Sequence, residues 1–420
     1  MISNQELHKF IKKHVTHREH SLLQADLQKY HKELRSGIDG RNVLVIGGAG
    51  SIGSAYIKAL LRFNINKLVV ADINENGLTE LVRDLRSSSE YNIPQTFITY
   101  PVNFGDAVFE KLFRHHGPFH IVANFAAHKH VRSEKDIFSI QAMIENNVLK
   151  ARCLLDLLLE SPPEHFFCVS TDKAANPVNI MGASKKLMEE LIMAYSGKLN
   201  ITTARFANVA FSNGSLPLGF LERLSKNQPW SCPLGIRRFF VSPQESGELC
   251  LMASVMGESG DIFYPKLDAE KDMIAFDRIA RDLLDFMGME AEVCATEKEA
   301  KEKITATGDR LPVTGKQKKA KGGDSNRWPV YFFKSDTSGE KPYEEFYTDD
   351  ELRDEETFIK LGVIKNSKKR DISEIDDIFS RLSELFNSKI VTKEAVVKIL
   401  QSYLTNFEHI ETGKGLDSKM

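Results

Sequence analysis

Short apolar segments alternate with amphipathic segments along the first half of the chain. Helical periodicity fills the intervals between the apolar segments. Strands that alternate with helices predict βαβ units and a parallel sheet, and continuously apolar strands indicate a sheet covered on both faces. We therefore predict an α/β fold with a doubly wound parallel sheet. Its predicted strands are 42–47, 67–72, 95–101, 119–124, 164–170 and 200–206.

The same pattern divides the chain into four regions. An amphipathic helical extension is predicted for residues 1–38, and the sheet domain for 39–211. The rhythm then loosens, which predicts a smaller region over 212–350 that is interleaved with the core and has a mobile, lysine-rich loop at about 295–327. Residues 351–420 are predicted to form helices on the exterior.

The composition indicates a soluble globular protein of the cytoplasm. The net charge of −2 gives no general attraction to nucleic acid or to an anionic membrane. No apolar run approaches the ~18 residues of a membrane-spanning helix, and the N-terminus lacks the apolar core of a signal peptide. The 5 cysteines are scattered without CxxC spacing, which indicates reduced thiols.

Three glycines follow the first predicted strand and open a helix, with Ser51 and Ile52 between the second and the third. Gly47 would allow a tight turn, Gly50 would let the backbone approach a pyrophosphate, and Gly53 would let helix and strand pack closely. The phosphates would lie at the positive N-terminus of the helix. The motif therefore predicts a dinucleotide-binding site in a Rossmann-type sheet.

Four residues extend this predicted cofactor site. Asp72 ends the second strand, where a carboxylate binds ribose hydroxyls and repels a 2′-phosphate, so we predict NAD, with NADP as the alternative. A helix-capping role for Asp72 is compatible with this. Asn103 follows the third strand, where an adenine contact is expected. The small Ala126 and Ala127 follow the fourth, and would let the backbone run beside the cofactor.

Basic side chains follow these alanines. His128, Lys129 and His130 would lie beside the crevice, which favours contacts with an anion or a substrate. A metal site is less favoured, because no carboxylate or cysteine joins them at ligand spacing. We predict no metal.

Thr171, Asp172 and Lys173 come directly after the fifth predicted strand. Ligands bind outside the carboxyl ends of parallel strands, so a hydroxyl, an acid and a base project where chemistry is expected. The structural alternative is a helix cap with an ion pair. Met181 and Lys185 follow on a helix that faces the same crevice.

These motifs resemble the extended short-chain dehydrogenases/reductases, which also have an asparagine at the position of Asn147 and a lysine at that of Lys185. Residues 169–186, VSTDKAANPVNIMGASKK, resemble more narrowly the UDP-N-acetylglucosamine 4,6-dehydratases of bacterial glycan synthesis. The N-terminal helices and WPVYFFKSDTSGEK look most like the soluble subgroup that supplies legionaminic acid synthesis. Further similar segments are AAHKHVR (126–132), RFANVAFSNGSLPLGF (205–220), RRFFVSPQESGEL (237–249) and TSGEKPYEEF (337–346).

The resemblance implies a reaction and roles for the residues. A hydride passes from C4 of the hexose to NAD(P), water is lost across C5 and C6, and the hydride returns to C6. Thr171 would hold the C4 oxygen, Asp172 would be the acid at the C6 hydroxyl, and Lys173 would be the base at C5. A lysine base must be neutral, which burial and the neighbouring cations Lys129 and Lys185 would favour.

Met181 stands where the wider superfamily has a tyrosine base. Some members of the narrower family also have methionine at this position. Because methionine cannot move a proton, the base for the C4 hydroxyl stays open between Asp172 and a water relayed through Thr171. The relatives with methionine suggest retention at C5. Lys185 would hold the nicotinamide ribose, and Asn147 would support the local geometry.

The region 212–350 is the predicted substrate-binding region. The planar guanidinium of Arg238 suits a diphosphate, and its neighbour Arg237 is the alternative. The family also implies a homo-oligomer, a dimer or larger, formed through the apolar surfaces of 142–160 and 185–195. The candidate substrate contacts are Lys129, His130, Thr171, Asn208, Ser212, Arg238, Glu340 and Lys341.

Two other functions stay open at this point. A 4-epimerase or 4-reductase could use the same scaffold, but epimerisation needs no acid at C6, so Asp172 and Lys173 disfavour it. A catalytically silent NAD-binding sensor or scaffold would explain Met181, but not the retained Asp172, Lys173 and Lys185.

Overall fold

The computed structural model describes residues 2–130, 134–306, 326–334, 343–365 and 367–410. Its strands, numbered in chain order, are β1 Asn42–Ile46, β2 Lys67–Ala71, β3 Thr96–Tyr100, β4 Ile121–Asn124, β5 His165–Val169, β6 Ile201–Ala204, β7 Asn208–Val209, β8 Trp230–Pro233, β9 Arg237–Val241, β10 Ile262–Pro265, β11 Met273–Ala275, β12 Glu290–Cys294, β13 Arg327–Phe333, β14 Arg353–Asp354 and β15 Leu361–Ile364.

Its α-helices are α1 Asn4–Phe10, α2 Gln24–Lys29, α3 His31–Ile38, α4 Ser51–Leu60, α5 Glu75–Arg86, α6 Ala107–His116, α7 Ile137–Ile144, α8 Lys150–Glu160, α9 Ile180–Tyr195, α10 Leu216–Ser225, α11 Pro243–Met256, α12 Phe276–Phe286, α13 Glu297–Ala306, α14 Ile372–Phe386 and α15 Lys393–Tyr403. π-Helical turns span Ile11–Val15 and Glu145–Leu149, and a 3₁₀ turn spans Asp172–Ala174.

A 9-stranded sheet forms the centre, in the order β14-β15-β10-β6-β5-β4-β1-β2-β3. The pairs from β3 across to β10 are parallel. This confirms the predicted doubly wound parallel sheet, and β15 and β14 extend it with antiparallel pairs.

Both faces of this sheet are covered, which is why its central strands are apolar at successive positions. Val43 and Val45 of β1 belong to a buried cluster with residues of α3, α4, α5 and α11. Leu44 and Ile46 belong to a second cluster with residues of α6, α8 and α9. The carboxyl ends of the strands therefore form an edge between two helical layers, where ligands bind in open α/β sheets.

A smaller lobe has two 3-stranded sheets, in the orders β11-β9-β7 and β12-β13-β8. Its core contains the fully buried Trp230, which stacks on Phe220 at a centroid distance of 4.7 Å. Phe10 and Ile11 of the N-terminal extension join the same core. The strands β10 and β15 belong to the central sheet, although strands of the smaller lobe precede and separate them in the chain. The smaller lobe is therefore interleaved with the sheet domain in sequence.

Two predictions for the later part of the chain are wrong in part. Helix α13 occupies much of the segment predicted to be a loop, and pairs such as Lys301 with Glu297 lie one turn apart on it. Residues 307–325 of that segment lie outside the described residues. Residues 351–365 contain β14 and β15 rather than helices, and β15 is fully buried. Helices α14 and α15 are as predicted, and 411–420 lie outside the described residues.

The apolar surfaces assigned to an oligomer interface are buried within the chain itself, so that prediction is wrong about the surface. Side chains of α7 and α9, such as Met143 and Leu187, form one cluster with Leu382 of α14 and Leu400 of α15. Other side chains of the same segments face the sheet. In the part of the chain that the structure describes, no helix has the length and apolar character needed to cross a membrane.

Candidate functional site

The glycine-rich loop lies between β1 and α4. Gly47 has a φ of 75°, and a Cβ on it would lie 2.6 Å from the backbone nitrogen of Ala126. A Cβ on Gly53 would lie 2.3 Å from the carbonyl oxygen of Gly47. Both positions therefore exclude a side chain, the first because of backbone conformation and contact, the second because the helix starts against the turn.

Asp72 fixes this loop through both carboxylate oxygens. Oδ2 accepts a hydrogen bond from the backbone N–H of Ala49 at 2.9 Å, and Oδ1 accepts one from that of Asn74 at 2.9 Å. Each carboxylate oxygen has a second lone pair, so these bonds leave acceptor capacity for a ligand.

A cavity of about 210 Å³ lies at the carboxyl ends of β1, β2, β3 and β4. Its lining contains six predicted cofactor residues and eleven residues that the sequence analysis did not assign to the cofactor. The predicted ones are Gly47, Gly50, Asp72, Asn103, Ala126 and Ala127, and the others include Asn74, His128, Asn146 and Asn213.

The smaller lobe reaches this cavity through the loop after β7. The backbone N–H of Asn213 donates to Oγ of Ser51 at 2.9 Å, beside the start of α4, whose second residue is Ile52. Ser212 lies in the same turn, where its N–H donates to the carbonyl oxygen of Val209. The turn thus joins the candidate substrate region to the glycine-rich loop.

Lys129 and His130 are exposed after β4. The ring of His130 lies over the same turn, because a Cβ on Gly214 would be 2.6 Å from it. His130 therefore lies beside the predicted substrate contact Ser212.

Thr171, Asp172 and Lys173 form a connected cluster directly after β5. Thr171 caps the 3₁₀ turn, and its Oγ1 donates to Oδ1 of Asp172 at 2.8 Å. Nζ of Lys173 donates to the same oxygen at 3.1 Å. Asp172 is buried. The cap and ion pair of the structural alternative are therefore present, and they also hold three reactive groups together at the sheet edge.

Lys173 has a second acidic neighbour and one basic neighbour. Its Nζ lies 3.7 Å from Oε1 of the buried Glu344. Burial lowers the pKa of Lys173, but the charges of Asp172 and Glu344 outweigh it and raise the pKa overall, while Arg238 opposes them. These charges therefore oppose the neutral form that a lysine base requires, and Arg238, rather than Lys129 or Lys185, is the cation that favours it.

Lys185 points toward the end of β5. Its Nζ donates to the carbonyl oxygen of Val169 at 3.0 Å and to the sulfur of Met188 at 3.8 Å. Burial lowers the pKa of Lys185. Cys168 and Glu189 act in the opposite direction.

Asn147 joins the loop that follows β4 to helix α9. Its Oδ1 accepts from the N–H of His128 at 2.8 Å, and its Nδ2 donates to the carbonyl of His128 at 2.9 Å and to Oγ of Ser184 at 3.1 Å. It lies in the π-helical turn Glu145–Leu149, a feature that often occurs at functional sites. These bonds fix the cavity-lining loop after β4 relative to α9.

Met181 is buried in the apolar cluster that α14 and α15 cover. Its backbone N–H donates to Oε1 of Glu134 at 3.0 Å. Oε2 of Glu134 lies 3.6 Å from Nε2 of His409, in the C-terminal segment. That segment also pairs with the loop after the Thr171 cluster, since the N–H of Glu408 donates to the carbonyl of Pro177. The C-terminus therefore supports the start of α9.

The predicted substrate residues are only partly described. Arg238 is buried and acts on Lys173, and Asn208 donates from Nδ2 to the carbonyl of Phe239 at 3.5 Å. Glu340 and Lys341 lie outside the described residues.

Sequence reasoning missed Glu344, although it lies in the segment TSGEKPYEEF. A glutamate without a periodic pattern or a fixed distance from Lys173 gives no signal of its partner. It also missed Glu134, which is far from Met181 in sequence.

Comparison with known proteins identifies the family. The family model described as "Polysaccharide biosynthesis protein" matches residues 43–312. An uncharacterized membrane protein of Methanocaldococcus jannaschii is 34% identical over 59% of this chain and 72% of its own length. The probable polysaccharide biosynthesis protein EpsC of Bacillus subtilis is 29% identical over 62% of this chain, which spans only 43% of that protein.

Two further similarities concern activity and fold. A protein of Campylobacter jejuni named UDP-N-acetylglucosamine 4,6-dehydratase (inverting) is 28% identical over 56% of this chain and 69% of its own length. The crystal structure of Pen from Bacillus thuringiensis has a TM-score of 0.61 at 19% identity, over 82% of this chain and 98% of that one. The chain therefore belongs to the polysaccharide biosynthesis protein family, as a member similar to the dehydratase-like extended short-chain dehydrogenases/reductases.

Proposed function

We propose that this chain is an NAD(P)-dependent nucleotide-sugar 4,6-dehydratase that converts UDP-N-acetylglucosamine to the UDP-4-keto-6-deoxy sugar. The observation that carries the proposal is the contact of Thr171, Asp172 and Lys173 at the carboxyl end of β5. An alcohol, a carboxylate and an amine in contact match what the elimination of water from a sugar requires. The similarity to the Campylobacter dehydratase supports this choice of substrate.

The residues of the cavity fit a dinucleotide cofactor. Gly47 leaves the turn open to a close approach, the N-terminus of α4 opens toward the loop, and Asp72 keeps acceptor capacity for ribose hydroxyls. The carboxylate of Asp72 favours NAD over NADP. A dinucleotide held by these residues would supply the hydride acceptor for C4 and the hydride donor for C6.

Oxidation at C4 also releases the proton of the C4 hydroxyl. The hydrogen bond from Thr171 to Asp172 gives that proton a route, from the sugar to Thr171 and from Thr171 to the carboxylate. Asp172 then gives a proton to the departing C6 hydroxyl, which leaves as water. Asp172 thus receives one proton from the C4 hydroxyl and gives one to the C6 hydroxyl. The reaction therefore needs no phenol at the position of Met181.

Lys173 takes the proton from C5, which the neighbouring C4 ketone acidifies, and gives it back to C5 after hydride has reached C6, so the lysine ends as it began. Asp172 and Glu344, at 3.1 Å and 3.7 Å from Nζ, favour the ammonium form of Lys173, which must lose a proton before the lysine can act as a base. Arg238 favours that loss through its positive charge. Arg238 also has the planar guanidinium that suits the diphosphate of the substrate.

The ion pair of Lys173 favours one second candidate, a UDP-sugar 4-epimerase. Epimerisation at C4 requires neither a neutral base at C5 nor an acid at C6, so a permanent Asp172–Lys173 pair would be compatible with it. The two reactions differ in product mass, because an epimer keeps the mass of its substrate.

The test is mass spectrometry of the purified protein incubated with UDP-N-acetylglucosamine. We expect a product that has lost one water, with no added oxidant or reductant. Asp172→Asn is the matched control and should abolish the product. Unchanged mass with an inverted C4 centre would favour the epimerase, and no turnover on any UDP-hexosamine would refute both.

A further inference from the structure

Lys173 lies between two carboxylates that come from distant parts of the chain. Asp172 precedes it in sequence and lies 3.1 Å from its Nζ, whereas Glu344 approaches from the segment after β13, at 3.7 Å. The side chain of Lys173 is 18% exposed and that of Glu344 is 5% exposed. The three groups therefore interact where solvent screens them only weakly.

The segment that carries Glu344 is anchored by a buried guanidinium. Arg205, at the end of β6, is fully buried and donates from Nη1 to the carbonyl oxygen of Phe346 at 2.9 Å. It also forms a two-bond pair with Glu351, 2.8 Å each, and another with Glu189 of α9. A planar, bidentate contact of this kind fixes geometry, so Glu344 is held on a clamped part of the segment.

We propose that Glu344 is a positioning residue for Lys173, which holds the lysine ammonium beside Asp172 in the free protein and sets the pH at which Lys173 becomes a base. The inference rests on the proposed function for the role of Lys173 in turnover. It adds a residue that acts through Lys173, from the segment beyond the Rossmann core.

The charges around Lys173 determine the direction of the effect. The groups that face it are Asp172 and Glu344, which favour the ammonium form, and Arg238, which disfavours it together with burial. An opposite charge within ~4–6 Å shifts a pKa by about one unit or more. Removal of the Glu344 charge therefore lowers the pKa of Lys173, and the neutral base is present at lower pH.

The first experiment measures kcat/KM against pH, because that ratio reports the ionisation of the free enzyme. For Glu344→Gln the limb that rises with pH should move by about one unit or more to lower pH. Glu344→Asp keeps the charge and should keep the limb near its original pH. Glu345→Gln, at an exposed neighbour that bonds Asn176, is the matched control and should leave the profile unchanged. A limb that stays in place in Glu344→Gln overturns the proposal.

The second experiment does not depend on turnover. Trace acetylation of the free protein over a range of pH, read by mass spectrometry at the peptide that contains Lys173, measures the titration of this lysine directly. We expect the midpoint to move to lower pH in Glu344→Gln and to stay in Glu344→Asp and Glu345→Gln. If the midpoint shifts in Glu344→Gln but the protein has no dehydratase activity, the role of Glu344 stands and only the proposed reaction is refuted. If the midpoint does not shift, the role of Glu344 is refuted.

Discussion

Thr171 donates a hydrogen bond from Oγ1 to Oδ1 of Asp172 across 2.8 Å, and Asp172 is buried. A hydroxyl in contact with a carboxylate can pass a proton in one step. In the proposed reaction this contact takes the place of a phenol at position 181, because it would connect the C4 hydroxyl to the acid of the elimination.

Thr171→Val should therefore reduce kcat by on the order of 10²-fold or more, the usual contribution of a proton-transfer group. Valine keeps the shape of threonine but cannot relay a proton or hold the C4 oxygen. Steady-state turnover of UDP-N-acetylglucosamine measures the effect. Thr171→Ser, which retains the hydroxyl, should keep most of the activity, and equal losses in both variants would argue against a relay.

Asp172→Asn should cost on the order of 10²–10⁴ in kcat, because the amide cannot protonate the C6 hydroxyl. Cofactor binding, followed by isothermal titration calorimetry, should change little, since Asp172 is not among the residues that line the dinucleotide cavity. If the protein were a silent cofactor-binding scaffold, the variant would behave like the wild type in every functional assay.

Met181→Tyr should not raise activity, although it restores the residue of the wider superfamily. Met181 is 2% exposed in the cluster under α14 and α15, so a larger ring with a hydroxyl overpacks that cluster by about 1–3 kcal/mol. Urea unfolding measures this loss. Met181→Leu, which nearly conserves volume, should cost less than about 1.5 kcal/mol and keep activity. A gain in kcat for the tyrosine variant would contradict the proposed proton route.

Acid should destabilise the protein through His165. Burial lowers the pKa of this histidine from 6.5 to about 4. His165 lies on β5, and its Nε2 forms a hydrogen bond of 2.9 Å with Oγ1 of Thr202. Because the unfolded chain binds the proton at higher pH than the folded one, stability is lost as pH falls from about 6.5 toward 4, by about 3 kcal/mol at most. Denaturant unfolding across this range should show a weaker pH dependence in His165→Gln. The exposed His115→Gln should retain the slope of the wild type, and identical slopes for all three would exclude His165 as the cause.

Six of the predicted cofactor residues line one cavity because local sequence pattern and topology act on the same residues. Gly47 and Gly53 are required by a turn and a helix start that the neighbouring sequence already defines. Asp72, Asn103 and Ala126 follow the strands β2, β3 and β4 of one parallel sheet, whose carboxyl ends lie at the same edge. Thr171 and Asp172 follow the same rule at β5.

Two features of the fold depend on long-range contacts that the periodicity of the sequence does not predict. Residues 351–365 were predicted to be helical. In the structure β15 instead forms an antiparallel pair with β10 and extends the central sheet. The apolar surfaces of 142–160 and 185–195 predicted a partner subunit, because the pattern shows that a face must be covered and does not show by which segment. Here α14 and α15 of the same chain cover it.

The sequence by itself determined the Rossmann-type sheet, the glycine-rich turn and the position of Thr171, Asp172 and Lys173, because each follows from spacing over a few residues. Only the tertiary structure decided which charged groups surround Lys173 and the direction in which they shift its pKa. Glu344 and Arg238 reach it from other segments, and the pKa of a buried group depends on every charge within a few ångströms, whatever its distance along the chain.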